Sequence, residues 1–535
     1  MATTNDLDPT TDEQSAAESQ ADDGVLSAGR GWASTFGGSS LAVALALAAV
    51  LAPAVLVPYA YADDYSLLWM AVGGEPNPQF GRTVFEMAAA NGRPLMGWSV
   101  QAAFGAAGDI DHLRYVRLIG AIGVVGLALL VQWALMRARV RPWPAAAIAL
   151  LMCSLPAFQV YGSWAVLFTA PYAAILGGCA SLLVTQSAGR EGFDRGRLAA
   201  AALLLLAGLF FYQPAAMCFW VFLAIAIIES RDDASLAWRV TWLHGAVAAV
   251  ALGGAYLQTK LAIAYYGDAV PEGSRVRAEL SFDVVGRLRW FVEQPLTESL
   301  NLFHLGPLPW LAAMVGLAIV VGMAVSAFRF TSRPWLYLGV AVALVPLTYL
   351  VNLVTREEQH PYRTQAALSA LLALYLGIGA VGLWTVASRS LETRLNDGER
   401  RLARVVAWAA GGGLVVASCL FAASNVTNLV ATPQMTELRL YRAQVRAIPA
   451  DATRVSFVQI SWYQGIARRF YNDELGVPST ARPFVLVGSF KLLLREQGRL
   501  GADRRGPAVD YYPSDVGALP PNQPWIDLRG MSYLK

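Results

Sequence analysis

Two adjacent aspartates follow the first long apolar run of the chain. Asp63 and Asp64 lie in the stretch YADDYSLLWM, residues 61–70, directly after a segment without charged side chains. A carboxylate here can act as a general base toward a substrate hydroxyl, and it can hold a divalent cation, which prefers oxygen ligands. The pair can equally begin a surface helix, where free amides and the helix dipole stabilise acidic side chains. The pattern alone leaves these interpretations open.

Polar and basic side chains in three later segments are candidates for the same site. They are Arg93 in NGRPLMGW, Tyr212 and Gln213 in FYQPA, and Glu357, His360 and Arg363 in REEQHPYR. An arginine at the start of a membrane span is costly without an anionic partner, and its guanidinium fork matches the oxygens of a lipid phosphate. Snorkelling toward ordinary phospholipid headgroups would also accommodate Arg363.

The composition indicates a membrane protein. Of 535 residues, 56% are hydrophobic and only 15% are charged, whereas soluble domains have about 25% charged residues. A span needs roughly 20 apolar residues, and the chain offers about eleven apolar segments, at 39–60, 115–136, 143–160, 165–186, 198–211, 214–229, 239–262, 306–328, 335–352, 364–387 and 404–424. The sequence therefore predicts a polytopic α-helical membrane protein with about 11 transmembrane helices, in which Pro214 marks a hairpin or a broken helix.

Charge and composition divide the chain into three parts. Residues 1–38 are polar and acidic and are predicted to form a disordered cytoplasmic tail, followed by the membrane domain, 39–424. Basic residues collect in alternate loops, which predicts that the opposite, outer side carries the first outer loop, residues 61–113, and a C-terminal domain, 425–535. In the first outer loop, Gly92 and Pro94 are predicted to separate two interfacial helices.

The C-terminal domain is predicted to be a small extracytoplasmic α/β unit. Its expected elements are a helix over Thr436–Ile448 and strands over Thr453–Ile460 and Pro483–Ser489. The net charge of +3 is small and no dense basic run with interleaved aromatic residues occurs, which argues against nucleic acid as a partner.

The order of these segments resembles the GtrII-like glucosyltransferase family and, more broadly, the GT-C class of polytopic polyprenyl-phosphate-sugar-dependent glycosyltransferases. The shared features are DD at the outer edge of the first span, GRPL some thirty residues later, an apical YQ, and an arginine that opens a later span. The resemblance covers residues 39–424 and implies these positions: Asp63 and Asp64 are catalytic, Arg93 lies in the substrate loop, Tyr212 and Gln213 lie beside the acceptor or sugar, and Arg363 contacts the donor phosphate. The stretch Pro76–Glu86 is longer than the family pattern, so the partner of the DD pair stays open.

The function expected from this resemblance is transfer of a sugar from a polyprenyl-phosphate donor to a glycan or glycolipid acceptor. A lipopolysaccharide or O-antigen acceptor at the outer face of a bacterial inner (plasma) membrane is the family default. Glu357 and His360 are further candidate substrate-binding residues.

The chemistry expected is direct displacement with inversion, because the sequence offers no arrangement for a covalent nucleophile. Asp63 is preferred as the base, since it is nearer the end of the first span and is expected to be better shielded from water. No cofactor is required, although a divalent cation on Asp63 and Asp64 stays open. The alternatives are a transporter or flippase for a lipid-linked saccharide, which would place ionisable groups near the bilayer midplane, and a polysaccharide polymerase or ligase.

Overall fold

The computed structural model describes most of the membrane domain and parts of the C-terminal domain. The described residues are 36–74, 83–189, 193–230, 233–267, 270, 272–302, 309–331, 333–392, 396–458, 474–500, 506–512, 516–517 and 523–529. Most of the predicted N-terminal tail, 1–35, lies outside them, and residues 36–38 already belong to the first helix.

Helices form almost all of the described chain. The first apolar helix is α1 Phe36–Leu56. Three shorter helices follow it: α2 Asp63–Ala71, α3 Val84–Ala90 and α4 Pro94–Ala107. The next group forms the centre of the membrane domain: α5 Leu113–Arg137, α6 Pro142–Cys153, α7 Pro156–Ser163, α8 Ala170–Ala188, α9 Arg195–Ala216, α10 Cys218–Glu229 and α11 Ala234–Tyr266.

The remaining helices run from the second large loop to the C-terminal domain. They are α12 Glu272–Arg277, α13 Val284–Phe291, α14 Thr297–Ser299, α15 Pro309–Phe330, α16 Pro334–Thr348, α17 Leu350–Leu353, α18 Ala366–Glu392, α19 Asp397–Asn425, α20 Thr432–Ala447 and α21 Pro483–Glu496.

A multi-pass helical membrane fold is confirmed. Eight helices in the described ranges are long and apolar enough to cross a bilayer, and the pair α6 and α7, bent by 68°, makes a ninth if it counts as one span. The other two predicted spans correspond to α10 and α16, which are apolar but have only 12 and 15 residues. All eleven predicted apolar segments are therefore helical, but two are shorter than the bilayer core requires.

The break at Tyr212 is a hairpin. Tyr212 has extended backbone angles (φ −160°, ψ 104°), and Pro214 follows it without an amide hydrogen. Arg197 near the start of α9, Glu229 at the end of α10 and Arg137 at the end of α5 line one cavity of about 450 Å³. Because α9 begins and α10 ends at the same end of the helices, the chain must reverse at Tyr212 to Met217. Tyr212 and Gln213 therefore lie at the apex, at the opposite end.

The two helices predicted on either side of Gly92 and Pro94 are present as α3 and α4, and their position at the membrane interface stays a prediction. Thr83 caps α3 through its hydroxyl, which accepts the amide hydrogen of Glu86 at 3.1 Å, and Pro94 begins α4. Gly92 between them has φ +73°, a conformation that only glycine adopts readily.

The C-terminal domain contains a three-stranded parallel sheet. Strands β1 Arg454–Val458, β2 Ala508–Tyr512 and β3 Trp525–Asp527 are arranged in the order β2-β1-β3. The predicted helix over Thr436–Ile448 corresponds to α20, and β1 falls within the predicted strand Thr453–Ile460, whose last two residues lie outside the described part of the chain.

The strand predicted over Pro483–Ser489 is wrong, because these residues begin α21. Buried side chains in α21 recur with helical spacing at Leu486, Phe490 and Leu493, and Pro483 is the first helical residue, where its missing amide hydrogen costs nothing. Strands β2 and β3 were not predicted from the sequence.

The C-terminal domain packs directly on the segment between α1 and α5. The Ser66 hydroxyl donates to the carbonyl of Phe484 at 3.0 Å, and the amide of Ala62 donates to Ser479 Oγ at 2.8 Å. Arg442 of α20 pairs with Asp111 at 3.0 Å. The aspartate pair therefore lies between the membrane helices and the C-terminal domain.

Candidate active site

Asp64 is an anchor for two loops. Its side chain is fully buried; Oδ2 accepts the amide hydrogen of Tyr61 at 3.0 Å and Oδ1 that of Val166 at 2.9 Å. Burial raises the pKa of Asp64 to about 7, although both amides and the nearby Arg117 guanidinium act in the opposite direction. Neither bond caps α2, so the carboxylate ties the start of α2 to the turn at Ala165–Leu167.

Asp63 is only half-buried. The expectation that Asp63 is the better shielded member of the pair is wrong, because α2 turns Asp64 inward and leaves Asp63 nearer its surface. Of the two carboxylates, Asp63 is the one that solvent or a substrate can reach in this arrangement.

Arg117 binds the backbone between the end of α1 and the aspartate pair. It is fully buried in α5 and donates hydrogen bonds to the carbonyls of Ala54, Tyr59 and Val57 at 2.6, 2.7 and 3.0 Å. Its guanidinium also lies 3.8 Å from the centre of the Tyr59 ring. Arg117 thereby satisfies carbonyls at and beyond the end of α1 that have no helical partner. Sequence analysis missed it, although an arginine within an apolar segment was a usable signal.

Arg93, Tyr212 and Gln213 come together. Arg93 Nε donates to Gln213 Oε1 at 2.6 Å, and the guanidinium lies 4.5 Å from the centre of the Tyr212 ring. Gln213 Nε2 donates to the carbonyls of Asn91 and Gly92 at 2.9 and 3.0 Å. The loop between α3 and α4 is therefore held to the apex of the α9–α10 hairpin.

The two terminal nitrogens of Arg93 do not bind Gln213. Among the described residues neither has a hydrogen-bond partner, and the side chain is partly exposed. Burial lowers the pKa of Arg93, and the nearby guanidinium groups of Arg277 and Arg363 lower it further. A guanidinium stays protonated in proteins, so Arg93 is a fixed cation with two available donors.

Arg363 lies next to this cluster and has a carboxylate partner. Its Nη1 donates to Glu474 Oε1, and its backbone amide donates to Glu474 Oε2 at 2.9 Å. Its carbonyl accepts the hydroxyl hydrogen of Tyr161 at 2.6 Å, and the Tyr161 ring packs edge to face on Tyr212 with 5.8 Å between centres. The guanidinium also lies 5.3 Å from the Trp164 ring.

Tyr61 joins the aspartate pair to the arginines. Its ring packs on Trp164 with 5.0 Å between centres, and its hydroxyl donates to the carbonyl of Glu474 at 2.8 Å. A continuous set of contacts thus runs from Asp64 through Tyr61 and Glu474 to Arg363.

Glu357 and His360 contact the preceding large loop. Among the described residues, three ion pairs join the two loops: Arg356–Glu279 at 2.7 Å, Glu357–Arg277 at 2.8 Å and Glu358–Arg287 at 3.5 Å. His360 Nε2 also lies 3.0 Å from Glu298 Oε1. A substrate that contacted Glu357 or His360 would therefore have to exchange with a protein partner.

The donor set around Asp64 does not suit a divalent cation. Both of its carboxylate oxygens already accept amide hydrogens, and the side chain is fully buried. Within the described ranges, no three His, Cys, Asp or Glu side chains converge on one point.

Sequence analysis missed Glu474, Tyr61, Tyr161 and Trp164 as parts of the site. The aromatic residues resemble ordinary interfacial side chains in the sequence. Glu474 lies 111 positions from Arg363, and no spacing pattern could connect the two.

The fold and the site together define a multi-pass helical membrane protein with an arginine-rich polar site at one end of its helices. No protein-family model matches the chain. None of the curated proteins matches it in sequence.

Several solved structures are distantly similar in fold to this chain. One is the Archaeoglobus fulgidus oligosaccharyltransferase in complex with Zn and sulfate, with a TM-score of 0.43, 14% identity and 79% of this chain covered; the chain spans only 60% of that protein. Another is ArnT from Cupriavidus metallidurans bound to undecaprenyl phosphate, with a TM-score of 0.41, 13% identity and coverage of 89% of this chain and 90% of that one. The same ArnT in the apo state has a TM-score of 0.41, 14% identity and 90% coverage of both chains.

Proposed function

We propose that this protein is a GT-C-type membrane glycosyltransferase that moves a sugar from a polyprenyl-phosphate donor to a cell-surface glycan or glycolipid. The observation that carries the proposal is the hydrogen bonding of the Arg93 guanidinium. Its Nε is held by Gln213 and its face by Tyr212, while its two terminal nitrogens have no partner among the described residues. A guanidinium fixed in this way is suited to bidentate recognition of phosphate oxygens.

An apolar groove that leads to the loop before Arg363 favours an anion anchored in the bilayer. An apolar groove of about 600 Å³ lies between α10, α11 and α16 and reaches Leu350. The adjacent Tyr349 donates its hydroxyl hydrogen to the carbonyl of Gln359, within the loop that leads to Arg363. A lipid chain in this groove would bring its phosphate toward the arginines.

Each residue of the candidate site would have a separate role in a displacement that inverts the anomeric carbon. Asp63 would take the proton of the acceptor hydroxyl while that oxygen attacks the anomeric carbon. The bond from this carbon to the phosphate oxygen would break, and its electron pair would remain on the phosphate. Arg93 and Arg363 would stabilise the charge that develops there, and Tyr212 and Gln213 would hold Arg93 in place.

The membrane topology favours an extracytoplasmic reaction. Basic residues in the loops at the other end of the helices orient that end toward the cytoplasm, so the site would face the side where nucleotide sugars are absent. A lipopolysaccharide or O-antigen acceptor in a bacterial inner membrane fits this placement.

The test is sugar transfer by the full chain reconstituted in lipid nanodiscs, with a radiolabelled polyprenyl-phosphate sugar and membrane glycolipid acceptors. Wild-type protein should form labelled glycolipid. Arg93→Lys should raise the KM for the donor and lower kcat, because an ammonium cannot keep the Gln213 bond and still present two fixed donors. Arg289→Lys is the matched control, since Arg289 is exposed and its ion pair among the described residues is with Glu293, four positions along the chain. Flux of the labelled lipid across liposomes without transfer would instead identify a flippase.

A further inference from the structure

Glu474 connects three parts of the candidate site. Its carboxylate is fully buried and binds Arg363 twice, through the guanidinium and through the backbone amide. Its backbone carbonyl accepts the hydroxyl hydrogen of Tyr61. The C-terminal domain thus contributes a negative charge to a site whose other residues belong to the membrane domain.

The charges of the described residues around Arg93 do not cancel. Arg93, Arg277 and Arg363 are three neighbouring cations. Arg277 is paired with Glu357, and Arg363 is paired with Glu474. One positive charge therefore remains, and it belongs to Arg93. Arg93, Arg363 and Glu474 also all lie close enough to the Tyr212 hydroxyl to act on it electrostatically.

This balance matters because substrate and product of the proposed reaction differ in charge. A polyprenyl-phosphate sugar is a phosphodiester with one negative charge. Transfer leaves a phosphate monoester, which carries about −1.5 to −2 at pH 7. A site with two uncompensated cations would bind the product more tightly than the donor and would release it slowly.

We infer that Glu474 is a specificity-determining and positioning residue that matches the site to a singly charged lipid phosphodiester and weakens retention of the more highly charged product. It does so by neutralising Arg363 and holding it in place, so that Arg93 supplies the uncompensated charge. The inference rests on the proposed function and names a residue from outside the membrane domain.

The test compares Glu474→Gln with wild type in nanodiscs, by direct binding of polyprenyl phosphate and polyprenyl diphosphate and by turnover of the polyprenyl-phosphate sugar. Removing one buried negative charge should tighten polyprenyl phosphate binding by about tenfold or more and tighten diphosphate binding further. Turnover should fall through slower product release, so kcat and the KM for the donor should both decrease, whereas a loss of folded or correctly arranged site would raise KM.

Glu437→Gln is the matched control. Glu437 is also a buried carboxylate of the C-terminal domain, but it binds the amides of Ser479 and Thr480. Its neutralisation should leave the preference between mono- and diphosphate unchanged. Equal or weaker polyprenyl phosphate binding by folded Glu474→Gln would overturn the inference.

A second comparison covers the case in which Glu474→Gln does not fold. The double variant Arg363→Gln/Glu474→Gln restores the net charge and can replace the ion pair with amide hydrogen bonds, so it should bind polyprenyl phosphate more tightly than Arg363→Gln alone. Arg363→Gln alone removes one cation and keeps the Glu474 carboxylate, so it should bind polyprenyl phosphate about tenfold more weakly or worse. Equal binding by these two variants would show that the net charge at positions 363 and 474 does not determine lipid affinity.

The binding measurements do not require turnover. Absence of sugar transfer by wild type with the expected order of lipid affinities would overturn the proposed function while leaving the charge effect in place. Normal transfer with unchanged affinities would overturn the role of Glu474 alone.

Discussion

Arg93 Nε lies 2.6 Å from Gln213 Oε1, which joins residues 120 positions apart in the chain. The bond links the loop between α3 and α4 to the apex of the α9–α10 hairpin. Gln213 can make it because its amide nitrogen is at the same time held by the carbonyls of Asn91 and Gly92. The orientation of the proposed phosphate-binding guanidinium therefore depends on the backbone around Gly92.

Gly92→Ala should disturb Arg93 without touching it. An added Cβ would lie 2.5 Å from Thr259 Oγ1 and 2.7 Å from Gln213 Nε2, so the Gln213 amide would have to move. We expect donor KM to rise and kcat to fall by about tenfold or more, as is usual when a positioned group is displaced.

Gly108→Ala separates this effect from backbone strain. Gly108 has the same φ of +73°, but nothing lies within 4 Å of an added Cβ. Backbone strain should cost both variants about 1 kcal/mol of stability. Gly92→Ala should lose more because Gln213 is displaced, and only Gly92→Ala should lose transfer. Equal kinetics in the two would mean that Gln213 does not position Arg93.

Replacing each aspartate by asparagine should give different defects. Asp63→Asn removes the proposed base, so turnover should fall by about two to four orders of magnitude, with donor binding retained. Asp64→Asn offers one acceptor oxygen where two amides need one each, so it should destabilise the fold by about 1–3 kcal/mol. Transfer kinetics and thermal unfolding in nanodiscs measure the two effects. Near wild-type transfer by Asp63→Asn would remove the pair from the chemistry and leave it a structural role.

The stability contribution of Asp64 should depend on pH. An aspartate in the unfolded chain titrates near ~3.9, whereas in the fold the pKa of Asp64 is about 7. Between these values the folded state keeps a proton that the unfolded state has lost, so the contribution of Asp64 to the free energy of unfolding decreases as pH rises and is constant above the window. The difference in Tm between wild type and Asp64→Asn should accordingly shrink from pH 5 to pH 8.

Asp233→Asn is the control for this titration. Asp233 caps α11 and is exposed, and hydrogen bonds from Leu236 and Ser235 lower its pKa. Its effect on Tm should be constant from pH 5 to pH 8. A constant difference for Asp64→Asn as well would show that this carboxyl is ionised throughout the range.

The orientation in the membrane can be tested with introduced cysteines. Arg439, on α20, and Ser390, near the end of α18, are both exposed. An impermeant thiol reagent added to intact cells should label Arg439→Cys and leave Ser390→Cys unlabelled, because the basic loop after α18 is predicted to be cytoplasmic. Wild-type protein controls for the four native cysteines, and the reverse pattern would exclude the proposed extracytoplasmic donor site.

The membrane architecture could be predicted because its causes are local. A run of apolar residues must form a helix to satisfy its own amides and carbonyls in lipid, and each of the eleven apolar segments is helical. The break at Tyr212 likewise follows from Pro214, because a proline restricts the backbone whatever its tertiary contacts are. The sequence alone also shows which polar residues occur at the ends of apolar segments. Candidates such as Arg93, Tyr212 and Gln213 could therefore be predicted.

Tertiary structure decided which partners these residues have. Arg363 binds Glu474, Asp64 binds the amide of Val166, and Arg117 binds carbonyls beyond α1, and none of these pairings leaves a trace in spacing. Residues 483–489 illustrate the same limit, since a short apolar run suits a strand or a helix equally until its packing against Ser66 selects one. The hydrophobic pattern determines that a segment is buried, whereas the charge at a site depends on which distant segments fold against it.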